Sequence, residues 1–113
     1  MNLNDYSTQA IATLLGGQGL DDMDARLLDQ VFGLVGESGE VAEKFKKIIR
    51  DKHGAISDDD KQEIIKELGD ILWYINSISH ILGFSLEDIA QKNLDKVTDR
   101  KVRGAQRGSG DNR

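Results

Sequence analysis

Apolar residues recur every three or four positions over most of the chain, the period of an amphipathic helix. A first helix carries Tyr6, Ala10, Ile11, Leu14 and Leu15, with Asn4 or Asp5 as its cap and Gly16-Gly17-Gln18-Gly19 as its end. A second, capped by Asp21 or Asp22, has the clearest spacing. Its Leu27, Leu28, Val31, Leu34, Val35, Val41, Ala42, Phe45, Ile48 and Ile49 form one stripe about 160° wide. The segment Asp51 to Ser57 ends it, and Ser57 or Asp58, followed by acidic residues, opens a third helix. The stripe there is Ile64, Leu68, Ile71, Leu72, Ile75, Ile78, Ser79 and Leu82. Gly83 stops the third helix, and Ser85 with Glu87 and Asp88 behind it starts a fourth that carries Ile89, Leu94 and Val97. The pattern predicts an all-α fold, a four-helix bundle whose two long members form an antiparallel hairpin.

Several carboxylates break this pattern. Glu37 borders the stripe of the second helix, with Glu40 one turn further on. Glu67, Asp70 and Tyr74 cluster at the edge of the third stripe. In an antiparallel hairpin, residues equidistant from the turn lie at one level, and the midpoint between 37–40 and 67–70 falls at His53-Gly54. The two acidic pairs are therefore expected to face each other. Each pair encloses a glycine, Gly39 or Gly69, although mid-helix glycine costs roughly 1 kcal/mol relative to alanine. Close approach of the helices at that level is the expected compensation. Trp73 is expected to point away from the stripe, roughly opposite Leu68, and to serve a subunit interface.

Two unit charges 4 Å apart repel by about 4 kcal/mol at an effective dielectric of 20, a cost that divalent cations remove. Oxygen ligands without His or Cys favour Mg²⁺ or Mn²⁺ over zinc, and Mg²⁺ is usually completed by water and substrate phosphates. The implied chemistry is metal-assisted attack of water on a phosphoryl group. Other metal and phosphate motifs fail: no Glu-x-x-His suits a di-iron bundle, Asp51 to Glu63 lacks the spacing of an EF-hand, and Gly16-Gly17-Gln18-Gly19 lacks a P-loop ending.

Composition narrows the classes. At 113 residues there is room for one ordinary domain, and 38% apolar residues with 12 glycines suit a globular chain. Without cysteine there is no disulfide, thiolate metal site or thiol nucleophile. No apolar run approaches the roughly 20 residues that span a bilayer, and Met1 to Asp5 lacks signal-peptide features, so a cytoplasmic protein with no membrane partner is expected. The net charge of −5 divides unevenly. Residues 1–99 carry 10 Lys/Arg against 19 Asp/Glu, whereas 100–113 carry five against one. Such an acidic body does not suit duplex nucleic acid. Residues 1–103 form the expected domain, and 104–113 a basic, glycine-rich flexible tail.

Gly36-Glu37-Ser38-Gly39-Glu40-Val41-Ala42-Glu43, followed by Glu67-Leu68-Gly69-Asp70, Ile71-Leu72-Trp73-Tyr74 and Asn93 to Arg100, resembles the MazG-like nucleoside triphosphate pyrophosphohydrolases. The family signature is EExxE, a spacer, then ExxD. Its paired Glu-Glu is Gly36-Glu37 here, as in the dCTP pyrophosphatase-like branch. The resemblance implies Glu37, Glu40, Glu67 and Asp70 as catalytic metal ligands, with Glu43 a less defined extra acid. It also implies a Mg²⁺ cofactor that Mn²⁺ can replace, and hydrolysis of a nucleoside or deoxynucleoside triphosphate to the monophosphate and pyrophosphate. Tyr74 matches a family tyrosine that packs on the sugar, and reads equally well as a half-buried helical residue. Lys44, Lys47, Lys96 and Arg100 are candidates for the β- and γ-phosphates. In the family the last helix often reaches the site from a neighbouring subunit, so Asn93, Lys96 and Arg100 are expected to act across a homodimer or homotetramer. Two alternatives stay open: a helical interaction module that has lost catalysis, and a related enzyme such as a phosphoribosyl-ATP pyrophosphatase.

Overall fold

A computed structural model describes residues 1–15 and 25–113. Four helices follow one another: α1 (Leu3–Ile11), α2 (Ala25–Lys52), α3 (Asp58–Ile81) and α4 (Leu86–Arg103). The expected caps at Asp21 or Asp22 and the glycines 16–19 lie outside the described residues. Two caps are those the sequence predicts. Ser57 and Ser85 each accept from the backbone N–H three residues on, at Asp60 and Asp88, whose carboxylates accept from the cap N–H in return. The α1 cap differs. Asn2 is the cap, and Asp5 closes the box as its third-residue partner. α1 also stops at Ile11, because Thr13 and Leu14 make tighter bonds to Ala10 and Ile11 and the Thr13 hydroxyl donates to the Ala10 carbonyl at 2.7 Å. Leu14 and Leu15 therefore lie beyond the helix, and Leu15 is 89% exposed.

The turn after α2 uses two left-handed residues, His53 (φ 52°) and Gly54 (φ 83°). Pairs then step away from it along the hairpin: Lys52 with Asp60, Lys44 with Glu67, Gly33 with Tyr74, Gln30 with Ser77. This sequence of partners fixes the antiparallel register. Asp60 receives both a bidentate Lys52 ammonium and the cap N–H of Ser57, which hold its carboxyl down at about 2.

α3 is the hub and touches the other three helices. Its contact with α1 is polar. The Asn76 amide donates to the Ser7 carbonyl at 3.1 Å, so its Oδ1 is the acceptor for the Ser7 hydroxyl at 2.7 Å. That uses the only proton of Ser7. The 2.9 Å contact to His80 therefore places a proton on His80 Nε2. Ser77 donates to Gln30 on α2, and Ser79 to the Phe84 carbonyl, which shapes the turn into α4. Asn76, Ser77 and Ser79 are each 1% exposed, so the most buried side chains of the fold are polar and satisfied.

Among the described residues the buried apolar side chains are few: Ala10, Leu27, Ile48, Ile64, Ile81 and Leu86. Several residues of the predicted stripes are not covered within one chain, among them Val35, Ile49 and Leu68. The radius of gyration is 17.0 Å, against about 13 Å for a compact chain of this length. Among the described residues no helix other than α3 packs on α2, since α1 and α4 both pack towards α3. Among the described residues, no helix is long and apolar enough to cross a membrane.

Candidate metal centre

Glu37 of α2 and Glu67 and Asp70 of α3 each present a carboxylate oxygen, and these oxygens lie within 4.8 Å of one another. The hairpin register produces this, because the three side chains sit at one depth on the edges where α2 and α3 meet. Burial pushes the Glu37 carboxyl up from its ordinary value, followed by the Asp70 charge, a hydrogen bond with Glu67, and the charges of Glu67 and Glu40. A divalent cation would offset this crowding of negative charge, and the all-oxygen donor set suits a hard ion.

Glu40 lies outside the triad: its side chain is exposed, and its charge reaches Glu37. Glu43 also lies outside it and acts on Arg50 instead. Lys44 stands beside the cluster, its Nζ 3.5 Å from Glu67 Oε1. Lys47 is exposed, and its charge helps to hold the Asp51 carboxyl below the usual range, after the larger effect of Arg50. Asn93 and Lys96 line a different and larger groove with Phe84, Ile89 and Asp111, while Arg100 is buried with its guanidinium against residues 110 and 111.

Glu37 and Asp70 open onto a cleft of about 280 Å³ whose other walls are Trp73 and Tyr74. The two rings meet edge to face, 5.0 Å apart at 85°. Trp73 is thus half-buried at the cleft, and its Nε1–H donates to the Thr13 hydroxyl at 2.8 Å. The spacing contains a signal for this, since Trp73 is one turn from Asp70 and shares its side of α3. The expected close approach at Gly39 and Gly69 is absent, as a side chain at either would meet nothing within 4 Å. It occurs at Gly33, where a Cβ would overlap the ring of Tyr74 and lie 2.8 Å from its hydroxyl. α1 borders the same place. Burial, then the Asp70 charge, pushes the Tyr6 hydroxyl above its ordinary value.

A family model described as the MazG nucleotide pyrophosphohydrolase domain matches residues 29–103, well over half of the chain, with every carboxylate of the cluster inside the match. The chain belongs to the MazG nucleotide pyrophosphohydrolase family. The MazG match spans α3 and α4 entirely and nearly all of α2. A relative over the full length of both chains is the Gene 37 protein of Mycobacterium phage L5, 41% identical over 114 residues. No solved structure matches.

Proposed function

We propose that the chain is a Mg²⁺-dependent hydrolase that splits nucleoside or deoxynucleoside triphosphates into the monophosphate and pyrophosphate, clearing or adjusting nucleotide pools in the cytoplasm. The observation that carries this reading is the convergence of Glu37, Glu67 and Asp70 at the mouth of an aromatic-walled cleft in a MazG domain. Those three residues would hold the cation, with Mn²⁺ a substitute. Glu40, one turn along α2 and without an ion pair among the described residues, completes the set by a change of rotamer. When bound, the cation supplies charge neutralisation at the α-phosphate and a more acidic water.

The protein's own groups do the rest. Trp73 and Tyr74 offer faces on which a sugar or base stacks, and the Thr13 hydroxyl holds the indole in place for it. Lys44, already beside Glu67, is placed to meet phosphate oxygens at the rim. Water adds to the α-phosphorus, the bond from that phosphorus to the bridging oxygen breaks, and pyrophosphate leaves. Asn93, Lys96 and Arg100 line or adjoin another groove of the same chain, so their contact with substrate requires a second copy in a homodimer or homotetramer. The uncovered apolar residues on α2 and α3 and the extended radius of gyration support such an assembly.

The test is a panel of nucleoside triphosphates, with phosphoribosyl-ATP beside dCTP and dUTP, assayed for released pyrophosphate with Mg²⁺. Glu37→Gln, Glu67→Gln and Asp70→Asn are each expected to reduce turnover by at least a hundredfold. Undiminished pyrophosphate release from any of them would remove the triad from the chemistry.

A further inference from the structure

Lys96, Arg100 and Arg103 lie three or four residues apart along α4 and share one face. Residues 110–113 lie on that face and accept its hydrogen bonds on oxygen atoms. Lys96 Nζ donates to Asp111 Oδ1 at 3.1 Å. Arg100 Nη2 donates to the Gly110 and Asp111 carbonyls at 3.2 and 2.7 Å, with Asp111 Oδ1 at 3.7 Å. Arg103 Nη2 donates to the main-chain oxygen of Arg113 at 2.8 Å. Together these are the donors that an oxyanion with several oxygens would engage.

The two sides of this contact are unequally anchored. The Arg100 side chain is 8% exposed, and its buried Nε has no hydrogen-bond partner. Asp111, the carboxylate facing it, is 82% exposed. Most of residues 104–113 are exposed, and the segment keeps its shape through Arg113, whose guanidinium donates to the carbonyls of Ala105, Gln106 and Gly110. A buried cation is therefore satisfied by a segment with almost no apolar hold on the fold. A phosphoanion, which can take a guanidinium bidentately, is the stronger partner.

We propose that residues 110–113 are a displaceable latch, in which Asp111 and neighbouring main-chain oxygens stand in for a phosphoanion on Lys96 and Arg100 and compete with it. This rests on the reading of Lys96 and Arg100 as phosphate-binding residues. Its ligand class is a pyrophosphate or triphosphate chain, and lifting the latch uncovers the donors for it. Arg113 acts through the segment: its guanidinium hydrogen-bonds to the carbonyls of Ala105, Gln106 and Gly110, the last of which Arg100 also meets, and so sets the shape of the residues that face Lys96 and Arg100.

Calorimetric titration of the full chain with inorganic pyrophosphate in EDTA tests this without any catalytic step. Asp111→Ala is expected to bind pyrophosphate about threefold more tightly than the parent, the size of one exposed ion pair. Arg113→Ala should shift binding in the same direction, and Lys96→Gln should weaken it. The KM for a triphosphate should fall in Asp111→Ala with kcat unchanged. If Lys96→Gln weakens binding while Asp111→Ala and Arg113→Ala leave it as it was, the latch is refuted and the phosphate reading stands. If Lys96→Gln changes nothing, or no pyrophosphate binds, the phosphate reading fails and the latch fails with it.

Discussion

Gly33 supports the ring of Tyr74, and replacing it tests how the cleft is built. In Gly33→Ala the new methyl group would overlap the phenol carbons and crowd the hydroxyl. Overpacking of this kind costs about 1–3 kcal/mol. Alanine returns about 1 kcal/mol of helix propensity, so the net loss is about 1 kcal/mol and the melting temperature should fall by about 4 °C. Gly36→Ala is the matched control, because nothing lies within 4 Å of its added carbon. That change should stabilise by up to about 1 kcal/mol, which separates two chemically identical substitutions on one helix by about 2 kcal/mol. The displaced ring must move towards the cleft, beside the chain's single tryptophan, so the fluorescence of Trp73 should change in Gly33→Ala and not in Gly36→Ala. A double-mutant cycle closes the argument: in a Tyr74→Ala background, Gly33→Ala should become stabilising. Equal gains in melting temperature for Gly33→Ala and Gly36→Ala in the parent would refute this account of the cleft.

Other expectations follow from the same geometry. Glu37→Gln should raise the melting temperature of the EDTA-treated protein by relieving the cluster's repulsion. It should also abolish the metal-induced gain, about 2.7 kcal/mol at a hundredfold excess of ion over Kd; an undiminished Mg²⁺ shift would exclude Glu37 as a ligand. Asp60 has a folded value of about 2, below the usual 3.8, so its contribution to stability is complete above pH 3.8 and is lost as the pH falls towards 2. Asp60→Asn should flatten the stability curve in that window, as followed by chemical denaturation. Asn76→Ala leaves the Ser7 hydroxyl and carbonyl without their buried partner and should cost about 1–3 kcal/mol; a loss below about 0.5 kcal/mol would show that the polar contact between α1 and α3 contributes little.

The helices were legible where local chemistry decides them. Ser57 with Asp60 and Ser85 with Asp88 are reciprocal caps readable from four residues each, and the hairpin register follows from turn position alone. α1 was less so. Asn2, Asn4 and Asp5 are all capable caps, and the choice of Asn2 depends on Asp5 closing back onto it. Within the acidic cluster, spacing brings Glu37, Glu67 and Asp70 to one level, but Glu40 sits a turn away and stays outside. Periodicity could not foresee that Asn76, Ser77 and Ser79 are the most buried side chains, since their burial depends on partners from α1, α2 and the turn before α4. Likewise, the use of Gly33 rather than Gly39 for close approach is set by where the Tyr74 ring falls across the interface. Apolar stripes mark surfaces that can be buried, and Val35, Ile49 and Leu68 remain exposed because no described helix lies on them.

The three clustered carboxylates all hang from the arms of one hairpin closed by the five residues 53–57. Closing so short a loop is among the fastest steps open to a helical chain, and it needs neither α1 nor α4. Mutual repulsion of Glu37, Glu67 and Asp70 therefore opposes the pairing of α2 with α3. A cation held by them would favour that pairing and would couple ion availability to the assembly of the fold.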